Sequence, residues 1–113
     1  MKDEKLSFNE YQKQAYDLIS EDGRKDMILN GVLGLTGEAG ECADLVKKNR
    51  FQGHDLDKDH LKDELGDVLW YIAETASGLG ITLEEVAQYN LDKLHKRFHG
   101  NHFNKEDSIH RKG

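Results

Sequence analysis

The sequence predicts an all-α fold, with four main helices in an antiparallel bundle, and three observations predict it. Proline is absent altogether, which suits a chain built of helices and short turns. Apolar residues recur at three- and four-residue spacing in four segments separated by polar, glycine-bearing stretches. Two capping boxes, Ser7 with Glu10 and Thr82 with Glu85, head two of those segments.

The first helix is expected from Ser7 to Ser20, striped by Phe8, Tyr11, Ala15, Leu18 and Ile19, with "EDGRKD" as its exit. The second is expected from about Lys25 to Gln52, striped by Val32, Leu35, Ala39, Ala43 and Val46. Its last turns carry Lys47, Lys48 and Arg50, which suit the negative end of the helix dipole. Gly53 is the expected C-terminal cap, and "GHDLDKD" is a polar loop. The third helix begins near Asp57 or Asp59, carries Leu61, Leu65, Val68, Leu69, Ile72 and Ala76 on one face, and ends at "SGLG". The fourth follows Thr82, with Leu83, Ala87, Leu91, Leu94 and Phe98 as its stripe, and closes at Gly100. Residues 1–100 are thus one domain, and residues 101–113 a polar tail.

The 113 residues leave no room for a second core, and the apolar share of 36% is small beside a charged share of 34%. A homo-oligomer is therefore expected to complete the packing. A net charge of −6 argues against a nucleic-acid backbone or an anionic membrane as the main partner. The single Cys42 excludes an intramolecular disulfide framework and fits a reducing cytoplasm. No apolar stretch reaches transmembrane length, and "MKDEKLSFNEYQ" lacks the apolar core of a signal peptide. A soluble, cytoplasmic protein is expected.

The second helix carries Gly31, Gly34, Gly37 and Gly40 in its interior, each costing about 1 kcal/mol against alanine. Interleaved with them are Glu38 and Glu41, three apart; Glu64 and Asp67 are three apart on the third helix. Residues at that spacing share a helix face. Two such pairs facing each other would crowd four carboxylates, and protons or a divalent cation must offset the charge. An oxygen-only set without a partnering Cys or His suits Mg²⁺ or Mn²⁺ better than zinc. Gly37, Gly40 and Gly66, beside or between the pairs, are then expected where the helices approach closely.

"GEAGECADLVKK" followed by "DELGDVLWYIAETASGLGITLEEVAQYNLDKLHKRF" resembles the MazG-like, all-α nucleoside triphosphate pyrophosphohydrolases. Their pattern, E-x-x-E, a spacer and E-x-x-D, reads here as Glu38, Glu41, a spacer from Cys42 to Asp63, then Glu64 and Asp67. The likeness covers about Phe8 to Phe98. It implies hydrolysis between the α- and β-phosphates of a nucleotide substrate, to a nucleoside monophosphate and pyrophosphate. It further implies Mg²⁺ held by Glu38, Glu41, Glu64 and Asp67, with one carboxylate, Glu41 as our choice over Glu38, taking the proton from the attacking water. A tetramer made of two dimers is expected on the same resemblance.

Asn90, Lys93 and Arg97 fall on one stripe of the fourth helix and match the family's N-x-x-K-L-x-x-R segment, which places them on the triphosphate; the alternative is a cation-rich helix end. Tyr71, one turn after Asp67, matches a tyrosine near the phosphates or sugar, or else packs a core. Lys48 could touch phosphate or form a solvated helix end. Trp70 could stack on a base or pack at a subunit contact, and Asn9 and Gln12 are further candidates for base selection. His95 and His99 have no evident third ligand, Cys42 reads as a packing residue, and "GVLGLTG" lacks the Gly-Lys-Ser/Thr ending of a phosphate-binding loop. Two other functions compete: a non-catalytic nucleotide- or metal-sensing module, and a di-iron carboxylate bundle, which would need Glu-x-x-His pairs this chain does not have.

Overall fold

A computed structural model describes residues 5–98. Among these residues the regular structure is five helices: α1 (Phe8–Asp17), α2 (Glu21–Lys25), α3 (Met27–Phe51), α4 (Lys58–Leu79) and α5 (Leu83–Arg97). The fold is all-α as expected. Gly100, His99 and the expected tail lie outside the described residues.

Four of the helices start on a side-chain cap. Ser7, Ser20, Asp26 and Asp57 accept from the N–H groups of Glu10, Gly23, Leu29 and His60 at 3.0–3.1 Å, satisfying donors that have no partner within the helix. Ser20 accounts for the one unexpected element. The "EDGRKD" segment is a short helix and not a simple exit, with Glu21 and Asp22 in its first turn and Arg24 and Lys25 in its last. Gly80 ends α4 in the left-handed region, at φ +74°, where a side chain would be strained. Gly53 adopts φ +75° just past α3.

The chain divides into two compact units between Leu83 and Glu84. In the first, α3 and α4 run antiparallel along a long seam. Glycine makes that approach possible. A Cβ at Gly31 would collide with Thr75, one at Gly34 with the Tyr71 ring, and one at Gly78 with the Ile28 side chain and its backbone N at 3.0 Å. Gly37, Gly40 and Gly66, by contrast, have nothing within 4 Å of a Cβ. The close approach therefore lies further along the seam than the sequence suggests, and these three glycines border open space.

Ala15 of α1, Ala73 of α4 and Leu83, just past the α4 end, form a buried cluster, with Tyr11, Leu69, Trp70 and Ile72 around them. Trp70 Nε1 donates to the Ala15 carbonyl at 3.3 Å, so this side chain packs within the chain. Gln12 fastens the end of α4: its Nε2 donates to Ser77 Oγ and the Ile81 carbonyl, and its Oε1 accepts from Leu83 N–H at 2.6 Å. Both are held by structural contacts here. The expected stripes are only partly enclosed, since Phe8, Leu18, Val32 and Leu65 are exposed. The second unit contains most of α5, with Leu94 half-buried and Glu84, Glu85, Tyr89 and Asn90 exposed.

Candidate metal centre

The α3 face that meets α4 carries Gly31, Gly34 and Glu38 at helical spacing, and the opposing α4 face carries Glu64, Asp67, Tyr71 and Thr75. Where the glycine contacts end, the seam becomes acidic. Carboxylate oxygens of Glu38, Glu64 and Asp67, one from each, lie within 4.8 Å of one another, and all three side chains are half-buried.

The charges strain this arrangement. Glu38 is held above the ordinary carboxylate range, first by a hydrogen bond shared with Glu64, then by desolvation and by the charges of Glu64 and Asp63. Burial pushes Asp67 up in turn, helped by Glu38 and Asp63. Two carboxyls therefore retain protons unusually well. A divalent cation would replace those protons, and an oxygen-only donor set fits a hard ion of the Mg²⁺, Mn²⁺ or Ca²⁺ type. The His60 imidazole stands with Nε2 3.7 Å from Glu64.

Two tyrosines flank the cluster. The Tyr71 phenol is raised by burial and by the charges of Glu38, Glu74 and Asp67, and Tyr11 by burial and the charge of Asp67. Both hydroxyls therefore remain protonated donors at neutral pH. Tyr71 covers Gly34, and its ring centroid lies 5.2 Å from that of Trp70.

Three of the four expected metal-binding carboxylates are thus brought together. Glu41, one turn beyond Glu38, is exposed and lies outside the trio. Lys48 pairs with Asp44 at 2.9 Å, with Glu41 adding a weaker attraction. Asn90, Lys93 and Arg97 share one face of α5, in the second unit. The sequence reading missed Asp63 and Tyr11. Asp63 was detectable in principle, lying four residues before Asp67 on the same helix. Tyr11 looked like any apolar-stripe aromatic.

Residues 29–102 match the MazG nucleotide pyrophosphohydrolase domain family. Over 69 residues the chain is 45% identical to the Gene 37 protein of Mycobacterium phage L5, covering 58% of this chain and 60% of that protein. The chain therefore spans about 60% of the length of the curated relative it matches. No solved structure matches it. No helix among the described residues is long and apolar enough to cross a membrane.

Proposed function

The chain belongs to the MazG nucleotide pyrophosphohydrolase domain family, and on that footing we propose that it hydrolyses (deoxy)nucleoside triphosphates between the α- and β-phosphates. The products are a nucleoside monophosphate and pyrophosphate, and the role is house-cleaning of the nucleotide pool in the cytoplasm. The observation that carries this reading is the meeting of Glu38, Glu64 and Asp67 across the α3–α4 seam.

In this reading Glu38, Glu41, Glu64 and Asp67 hold Mg²⁺, with Mn²⁺ a substitute. A divalent ion held there would supply positive charge for the phosphate oxygens and make water more acidic. Glu41, exposed on α3 one turn beyond Glu38, is the residue we assign to take the proton of the attacking water. The Tyr71 hydroxyl, kept protonated by its acidic surroundings, donates to phosphate or sugar. Lys48 is proposed to contact phosphate, and on the family resemblance alone Asn90, Lys93 and Arg97 of α5 are proposed as phosphate contacts, Arg97 by its bidentate fork. The open space beside Gly37, Gly40 and Gly66 gives phosphates room to approach. A homo-oligomer, two dimers forming a tetramer, covers the exposed apolar residues of α3.

The test is pyrophosphate release with Mg²⁺ by the wild type, Glu41→Gln and Asp67→Asn. Both variants are expected to lose roughly 100-fold or more in turnover while their helical circular dichroism persists. Full turnover in both would overturn the site assignment.

A further inference from the structure

Glu74 is the most enclosed charged side chain among the described residues, at 1% exposure. Its Oε2 accepts from Asn30 Nδ2 at 2.7 Å. Its Oε1 is enclosed without a hydrogen-bond partner among the described residues. An enclosed carboxylate with half its acceptor capacity unmet costs stability. Folding free energy therefore gives no reason for a carboxylate at this position.

Its place on the seam does. On α3, Asn30, Gly34 and Glu38 follow one another at four-residue spacing; on α4, Glu74, Tyr71 and Asp67 face them in reverse order. Asn30 meets Glu74, Gly34 meets the Tyr71 ring, and Glu38 meets Glu64 and Asp67. Between the two polar ends the α3 face is largely glycine. The Tyr71 ring sits on Gly34 and Thr75 on Gly31, while Gly37 borders open space. These contacts are steric and apolar, and the Asn30–Glu74 pair adds a directional polar constraint to them. A hydrogen bond to an enclosed carboxylate is satisfied in one alignment only.

We propose that the Asn30–Glu74 hydrogen bond sets the register of the α3–α4 seam, making Glu74 a positioning residue for the carboxylate cluster two turns away. A one-turn slide would move Asn30 by about 5.4 Å and leave both enclosed oxygens of Glu74 unpaired. The alignment in which Asn30 reaches Glu74 is the one in which Glu38 meets Glu64 and Asp67. A buried polar group that fixes register at a cost in stability is well attested between packed helices.

The inference rests on the reading of the acidic cluster as a cation site. The test measures Mn²⁺ affinity, by the spectroscopic signal of free Mn²⁺, alongside the melting temperature, on the full chain. Glu74→Leu is expected to melt at or above the wild-type temperature, yet to bind Mn²⁺ at least about tenfold more weakly, the loss typical when groups orienting metal ligands are removed. Glu74→Gln, whose amide oxygen still accepts from Asn30, is expected to bind Mn²⁺ near the wild-type affinity. Unchanged affinity in Glu74→Leu, with the wild type binding, would overturn the register role and leave the cation site standing. No binding by the wild type would instead remove the cation site itself. Were Glu74→Leu not to fold, Asn30→Ala alters the exposed half of the pair and decides in the same way: weakened Mn²⁺ binding in a folded variant supports the register role, and unchanged binding overturns it.

Discussion

At the scale of single residues, the proton affinity of Glu38 and Asp67 makes stability depend on pH in a definite direction. Both titrate above the ordinary carboxylate range in the folded chain. The folded state therefore binds more protons than the unfolded one across the interval between the two values. Their contribution is fully present below the ordinary carboxylate value and is lost as pH rises through the raised ones. Asp44, lowered by Lys48, has the opposite sign: its contribution exists above the ordinary value and is lost as pH falls. In metal-free protein, the melting temperature of Glu38→Gln is expected to gain on that of the wild type as pH rises from about 4 toward 7. Adding Mg²⁺ at pH 7 should stabilise the wild type more than the variant. A pH-independent difference would contradict the shared-proton description. That Glu64 and Asp67 share one face was legible because a three-residue interval fixes a helix face. The exclusion of Glu41 from the trio was not, because exposure one turn further along depends on where the partner helix lies.

Among the elements, the glycines of α3 divide into two kinds, and alanine substitution should separate them. Gly37 borders open space, so Gly37→Ala recovers helix propensity and should stabilise the protein by about 1 kcal/mol. If that space admits phosphates, the same change should lower turnover. Gly34→Ala drives a methyl group into the Tyr71 ring and should destabilise by roughly 1–3 kcal/mol. Denaturant unfolding of the two variants checks both signs, and equal effects would contradict the division. The sequence reveals the excess of glycine in α3 but not which glycines touch α4, since that depends on register. The caps Ser7 and Asp57 and the stop at Gly80 were readable from local chemistry. α2 was missed because five residues carry no periodicity, and only Ser20 marks its start.

Considered as a whole molecule, the first unit leaves apolar surface uncovered. Ile28, Leu29, Val32 and Leu33, along the first turns of α3, are 43%, 55%, 44% and 63% exposed, a concentration more typical of an interface than of a solvated helix. Light scattering should therefore give a mass several times the 12.9 kDa of one chain, with the tetramer as the expected state. Leu29→Glu combined with Leu33→Glu should shift that mass toward the monomer. A wild-type monomer would contradict the assembly. The shortage of core material was legible in composition, whereas the division at Leu83 was not, because α5 shows the same amphipathic spacing as the helices before it.

The central claim concerns which bond is broken, and product identity tests it most directly. A panel of canonical and modified (deoxy)nucleoside triphosphates is incubated with the protein and Mg²⁺, and the products are separated by anion exchange. The expected result is nucleoside monophosphate and pyrophosphate in equal amounts from at least one substrate. Diphosphate and orthophosphate, marking attack at the γ-phosphate, would contradict the account.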